Sequence, residues 1–270
     1  MAKIRIIYIT SLGHSGSTLL DVLLNQHQKL QSVGEIMFFD EWMSNDLLCS
    51  CGTMIKKCPF WAKAISENIP ALGDMDAHGY NDNSFLLFKA ISNINHSTAI
   101  VDSSKSPQRL MRLLSDPRFD VKVIHLVRNG LAVTNSLRKS HARPGTSNEQ
   151  MTIATPAYKG MLRWLRRNKS IERISKTMGD EKMLRVRYED LCLQPEQVLQ
   201  NICSFVGIDF DPAILIPTLT NNHNIGGSRW RFSDKVVKIK LDEKWRDELG
   251  LGAKLLFQII GKRLNKNYGY

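Results

Sequence analysis

Nowhere in this chain of 270 residues is there an uninterrupted run of about 18 apolar residues, the minimum for a helix that crosses a bilayer. Its opening, MAKIRIIYITS, lacks a long apolar stretch followed by a small-residue cleavage site. No secretory signal is therefore expected, and the cytoplasm is the expected compartment. Internal repeats and low-complexity tracts are missing too, which argues against a solenoid or a compositionally biased tail. Acidic residues are outnumbered, 26 against 37 Lys and Arg, for a formal net charge of +11. Such a balance predicts an anionic partner and says nothing about fold. Nucleic acid is not expected to be that partner, because zinc-finger spacing, an RNP-like aromatic motif and an uninterrupted basic tract are all absent. The cluster RWLRRNK at 163–169 reads more readily as a solvated helix face than as a binding stripe.

Cysteine is scarce. Of five, Cys49, Cys51 and Cys58 fall in CSCGTMIKKCPFW, with Cys192 and Cys203 elsewhere. Three thiols with no histidine at ligand spacing beside them fall short of a zinc motif, so a reduced structural loop without metal is expected. A metal, or a disulfide from Cys49 or Cys51 to Cys58, are the alternatives.

What is present is a rhythm. The short apolar runs IRIIYIT, TAIVD and VKVIHLV each end in a polar turn and lead into helical patterns over 17–27, 106–115 and 130–140. MLRVRYEDL (183–191) reads as a fourth strand running into a turn, with a helix opening at Pro195. Buried strand, turn and helix in succession predict an α/β fold, a three-layer, mainly parallel central sheet flanked by helices and P-loop nucleotide-binding-like. Further helices are expected at 156–178, 195–206, 241–249 and 252–263. With 43% hydrophobic residues, one domain over 1–270 is expected, with insertions at about 36–97 and 141–160 as acceptor or lid regions. Within these, the polar stretches at about 66–97 and 141–155 are candidate lids; NNHNIGGSRWRFSD at 221–234, too glycine- and polar-rich to be regular structure, is a third candidate.

The segment SLGHSGST (11–18) has almost everything a phosphate-binding loop needs except its lysine. Aligned on Gly16, Ser11 stands for the first glycine, Ser17 for the lysine and Thr18 for the last hydroxyl. Backbone amides and the hydroxyls of Ser15, Ser17 and Thr18 would suit an anionic group smaller than a triphosphate with its metal. A serine-rich helix cap that binds nothing is the competing interpretation. In VIHLVRNGLAVTNSLRKS (123–140), Arg128 falls at the end of a strand and Ser136 two turns into the next helix. Groups just past strand carboxyl ends face the ligand crevice of an open α/β sheet, so this pair can hold a second phosphate.

With both motifs in this order, the chain resembles the sulfotransferases that use 3′-phosphoadenosine 5′-phosphosulfate (PAPS), closest to the branch with tyrosylprotein, carbohydrate and bacterial members. The resemblance runs with gaps from residue 4 to about 249. It implies that GHSGST is the 5′-phosphosulfate loop and LVRNGLAVTNS the 3′-phosphate motif, that PAPS is the sulfuryl donor and that transfer needs no metal. Glu35, in LQSVGEI, becomes the candidate base, lying between two apolar stretches where a solvated acid is less expected. His96 and His125 are alternative bases, His125 more in keeping with a core position. Lys105, in IVDSSKSPQRL just past a strand end, resembles the lysine that neutralises charge on the bridging oxygen; an exposed turn lysine is its ordinary alternative. Tyr188 in RYEDL matches a tyrosine near the nucleotide and could equally be core. GGSRWR (226–231) resembles the loop over the adenosine 3′-phosphate, through Gly227, Ser228, Arg229 and Arg231. His14 stands where relatives often have arginine, and Asn129 replaces the usual acidic residue after the motif arginine. The acceptor, whether small molecule, carbohydrate or peptide, is left open. Two rivals stand beside this reading: a P-loop small-molecule or nucleoside kinase, and a catalytically idle nucleotide-binding protein of the same fold.

Overall fold

In strand IRIIYIT, alternate residues part to opposite sides: Ile6 and Tyr8 enter one buried apolar cluster and Ile7 and Ile9 another. A strand buried on both faces belongs in the middle of a layered parallel sheet, and that is where it lies. The computed structural model describes residues 3–67, 69–95, 97–139, 141–142, 151–152, 155–219, 222–232 and 238–270.

In chain order the elements are β1 (Ile4–Thr10), α1 (Ser17–Leu24), β2 (Leu30–Gly34), α2 (Phe39–Ser44), α3 (Pro59–Ile65) and α4 (Tyr80–Asn95). Then come β3 (Ala99–Asp102), α5 (Pro107–Ser115), β4 (Phe119–Val127) and α6 (Gly130–Arg138). A two-residue pair, β5 (His141–Ala142) and β6 (Met151–Thr152), precedes α7 (Ala157–Ser175) and β7 (Met183–Arg187). The chain closes with α8 (Tyr188–Leu193), α9 (Pro195–Val206), α10 (Trp245–Glu248), α11 (Leu251–Ile260) and α12 (Lys262–Asn267). The main sheet has the order β2-β3-β1-β4-β7, and every pairing in it is parallel. The carboxyl ends of β2, β3, β1 and β4 therefore stand side by side, with the turns that follow them along one edge.

Five readings change. LQSVG, not foreseen as a strand, is β2 at the sheet edge, fully buried along its length. The stretch 66–97 is no free lid: Tyr80–Asn95 forms a helix whose Leu87, Phe88 and Ile91 enter the core. Its many polar residues hid a narrow apolar stripe. The chain after β7 forms the short helix α8 where a turn was expected. The helix expected over 241–249 shrinks to Trp245–Glu248, and the one over 252–263 divides at Gly261. His125 is a core residue, wholly buried with Nε2 3.0 Å from Asn168 Oδ1, and burial lowers its pKa to about 4. His96 and most of the 141–155 segment lie outside the described residues.

Candidate functional site

Between β1 and α1 the chain makes a tight loop in which His14 and Gly16 both take positive φ, 71° and 91°. Gly16 is required on two counts. Its left-handed conformation penalises a side chain, and a Cβ there would lie 2.3 Å from Cδ2 of Tyr188. Ser15 and Ser17 are buried, and α1 begins with neither a side-chain cap nor an acidic residue in its first turn. Its free N–H groups and positive dipole end are thus left facing the loop.

Arg128 follows the last residue of β4. Its Nη1 donates to the His14 carbonyl (3.0 Å), and its Nη2 donates to the Asp242 carbonyl (2.9 Å) and to Asp242 Oδ2 (3.1 Å). The guanidinium stacks on the Tyr188 ring, 4.5 Å from its centroid. One tyrosine thus packs against both the Gly16 loop and Arg128. Ser136 Oγ lies 3.0 Å from His14 Nδ1, which joins the two motifs read from the sequence. Asn129 caps α6 by accepting from Leu131 N–H (2.9 Å), work an acidic residue would also do.

Glu35 and Lys105 stand at the ends of the neighbouring strands β2 and β3. Lys105 Nζ donates to Glu35 Oε1 at 2.5 Å, each side chain being 15% exposed. Lys105 takes φ 63°, a strained conformation for a side-chain-bearing residue. The turn around it is braced. Asp102 accepts from Ser104 N–H (2.9 Å) and pairs with fully buried Arg109 (2.8 Å), Ser103 N–H donates to the Gly34 carbonyl (2.8 Å), and Tyr8 Oη donates to the Ser106 carbonyl (2.8 Å).

The 222–232 segment closes over this end of the sheet. Glu35 N–H donates to the Ile225 carbonyl (2.6 Å). A Cβ at Gly226 would press on Glu35 (2.8 Å), and one at Gly227 on Thr18 Oγ1 (3.3 Å). Ser228 N–H donates to Thr18 Oγ1 (3.2 Å). Two successive glycines thus bridge from the candidate base to the phosphate loop. The segment was expected to be irregular throughout, yet Arg229–Phe232 forms a 3₁₀ turn; the Arg229 side chain lies outside the described residues. Arg231, expected from the resemblance in the loop over the 3′-phosphate, is buried, with long contacts (3.5 Å each) to the carbonyls of Asn224 and Leu48, and burial lowers its pKa to about 10.

Sequence reasoning missed several residues here. Asp21 is buried in α1, accepting from Ser32 Oγ (2.6 Å) and from the Asn224 side-chain amide. It lies four residues after Ser17, one helical turn along the same face, a spacing that was available to find it. Asp242 and Asn224 come from segments with no local signal. Beside Lys105, whose carbonyl accepts from Arg167 Nη1 (3.1 Å), opens a groove of about 670 Å³ between α5 and α7, lined among others by Leu12, Met111, Arg163, Arg166, Arg167 and Arg173. The basic cluster at 163–169 is thus largely a solvated face that also forms one wall of a groove.

Comparison with known proteins agrees with this architecture. The family model described as "Sulfotransferase family" matches residues 7–212, and the chain belongs to that family. Among solved structures, the sulfotransferase domain of the Synechococcus olefin synthase superposes with a TM-score of 0.59 at 25% identity, covering 100% of this chain and 96% of that one. The sulfotransferase domain from the curacin biosynthetic pathway gives 0.55 at 20% identity, covering 96% and 98%. A mouse sulfotransferase complexed with PAP gives 0.54 at 12% identity, covering 99% and 87%. No curated protein sequence matches the chain significantly. No helix among the described residues is long and apolar enough to cross a membrane.

Proposed function

We propose that this chain moves a sulfuryl group from PAPS to a hydroxyl or amine of an acceptor. One observation carries the reading: Glu35, Lys105, the 14–18 loop and Arg128 sit at the carboxyl ends of four adjacent parallel strands, β2, β3, β1 and β4. Two separate anion cradles and an acid–base pair in one row match a donor with phosphates at both ends and a reacting group between them.

The residues fit such a donor. Gly16 keeps the loop backbone open to close approach, and the buried Arg128 Nε has no partner. Ser15, Ser17 and Thr18 with the α1 amides would hold the 5′-phosphosulfate, while Arg128 and Ser136 would hold the 3′-phosphate. His14 hydrogen-bonds both Arg128 and Ser136 and so keeps the two cradles in register. Tyr188 supports both from beneath. Gly227 and Ser228 close on Thr18, and Arg229 and Arg231 add positive charge to that closing segment.

When bound, the donor supplies an activated sulfuryl group. The S–O bond to the phosphate breaks, a bond from sulfur to the acceptor atom forms, and the acceptor proton must leave. Glu35 takes that proton at a carboxylate oxygen, and Lys105 places positive charge where the departing phosphate gains negative charge. The arginine-lined groove beside Lys105 is where we place the acceptor, and its charge favours one that carries anionic groups.

The test is equilibrium binding followed by turnover. Adenosine 3′,5′-bisphosphate is expected to bind while ATP-Mg²⁺ does not; the reverse order would make the chain a kinase. A radiolabelled donor is then screened against phenols, alcohols, sugars, amines and tyrosyl peptides, each in neutral and anionic forms. Bisphosphate binding with no transfer to any class would favour the idle nucleotide-binding protein.

A further inference from the structure

Cys49, Cys51 and Cys58, expected to form a reduced loop without metal, do not stand alone. The fold brings His223 to them from 165 residues away, so that one ligand atom from each of the four lies within 4.8 Å of every other. Cys58 Sγ is 3.6 Å from both Cys49 Sγ and Cys51 Sγ. His223 Nδ1 is 3.2 Å from Cys58 Sγ and 4.0 Å from Cys49 Sγ. A tetrahedral zinc ion, with Zn–S bonds of about 2.3 Å and Zn–N of about 2.0 Å, holds its sulfurs about 3.8 Å apart and its nitrogen about 3.5 Å from each of them. Four of the six separations, 3.2–4.0 Å, already stand near those values and the other two are within 4.8 Å, whereas disulfide sulfurs approach to about 2.05 Å.

We infer that Cys49, Cys51, Cys58 and His223 form a closed, structural zinc site of the Cys₃His type. Three thiols and an imidazole are soft N/S donors, which select zinc over the oxygen-loving magnesium or calcium. With four protein ligands the ion has no open position, so it takes no part in group transfer. Binding displaces three thiol protons to solvent, leaving three thiolates and a neutral imidazole on the ion.

The surrounding contacts hold the ligands in place before any metal arrives. Cys49 N–H donates to the Thr53 carbonyl (2.9 Å) and Gly52, at φ 82°, turns the chain so that Cys51 faces back. Cys58 caps α3. The His223 ring stacks flat on Phe60 (centroids 5.2 Å, planes 4° apart), and the Trp61 indole donates to its carbonyl (2.8 Å). Ser50 is tied to both neighbours of His223, donating to the Asn222 carbonyl (2.6 Å) and accepting from Asn224 N–H (2.7 Å). Two residues after His223 comes Ile225, whose carbonyl holds Glu35 N–H, and then the glycines that touch Glu35 and Thr18. The zinc would pin this closing segment to the 49–58 loop across a very long chain separation, which is where a cross-link restrains the unfolded chain most.

The experiment needs only the full chain purified under reducing conditions. Elemental analysis is expected to find about one zinc per chain, with Cys49, Cys51 and Cys58 protected from a thiol reagent until a chelator is added. Cobalt substitution is expected to give thiolate-to-metal charge transfer and the visible bands of a tetrahedral ion. Cys51→Ser, on the solvent side, should lose most of the bound zinc, while His223→Cys should keep it. Cys49, Cys51 and Cys58 reacting freely in a folded chain without zinc, even after incubation with the ion, would overturn the site. So would an intact mass two hydrogens light that persists in reductant, the mark of a disulfide. Neither result depends on whether the chain transfers sulfuryl groups.

Discussion

Lys105 and Glu35 meet at 2.5 Å although 70 residues separate them, because β3 and β2 pair in parallel and end at the same level. Among the described residues neither side chain has a second ion-pair partner, and both are mostly shielded from water. An ion pair at the ligand edge of a sheet, beside a phosphate loop, is a poor stability device. It makes better sense as a proton acceptor and a cation that part when substrates enter between them. Glu35→Gln tests the first role. It keeps shape and hydrogen bonding, so affinity for adenosine 3′,5′-bisphosphate should hold while the single-turnover rate falls by about 10²–10⁴. A wild-type rate would move the base elsewhere, with His14 next to examine.

The φ of 63° at Lys105 yields a second expectation. Left-handed backbone costs a side-chain-bearing residue roughly 1–2 kcal/mol and costs glycine little. Both Lys105→Ala and Lys105→Gly should slow single turnover, but Lys105→Gly should be the more stable of the two by about 1 kcal/mol in chemical denaturation. Equal stabilities would mean that this turn relaxes at no cost, and the strain would have no bearing on where the amine is held.

At the other cradle, Arg128 is engaged by the Asp242 carboxylate, on the side where a 3′-phosphate would compete for it. Burial works against ionisation of Asp242, but the bond to Arg128, the Lys244 N–H and the positive charges of both residues together outweigh it, and the net effect is a lowered pKa. Arg128→Ala should weaken bisphosphate binding by roughly 2–4 kcal/mol, the loss of a charge-assisted fork. Asp242→Asn should act in the opposite direction, tightening it several-fold, about 1 kcal/mol, by removing a competing anion that is half exposed. Calorimetric titration of both variants checks the pair; tighter binding by Arg128→Ala, or much weaker binding by Asp242→Asn, would reassign the 3′-phosphate.

Much of this site was legible because it is local. GHSGST and LVRNGLAVTNS each carry a strand end, a turn and a helix start within a dozen residues, so their chemistry could be read in place, and the positive φ at Gly16 followed from the loop type. Glu35 and Lys105 were legible as strand-end residues, though not as a pair, since pairing depends on sheet order. What escaped depends on long-range packing. Asp242 on Arg128, Asn224 on Asp21, and His223 on the three cysteines are contacts made across 114, 203 and 165 residues. A metal motif searched only at ligand spacing beside the cysteines could not include His223. The α4 helix was missed for a different reason. Its buried face is one narrow stripe in a polar sequence, YNDNSFLLFKAISNIN, and packing on the sheet outweighs the composition.

The last expectation concerns pH, through Asp21. This carboxyl is 2% exposed, and burial raises its pKa from 3.8 to about 7, against the lowering effect of the Ser32 and Ser103 hydroxyls and of nearby Lys105, with Glu35 adding to the rise. An acid whose pKa is higher folded than unfolded binds more protons in the folded state between those two values. Stability contributed through Asp21 is therefore greatest below about pH 4, falls as pH rises to about 7, and is level above it. Roughly three pKa units correspond to a change on the order of 4 kcal/mol. His125 works in the opposite sense. Its pKa is lowered to about 4, so the unfolded chain binds the extra proton and stability rises between about pH 4 and its unfolded value. The raw stability profile of the native chain mixes the two, and the informative quantity is a difference. Asp21→Asn keeps an oxygen to accept from Ser32 and cannot ionise, so its stability relative to the native chain should climb from pH 5 to about pH 7 and then level off. Urea denaturation of both proteins at five or six pH values would show it; curves that stay parallel across that range would mean Asp21 is already ionised in the folded state at pH 5.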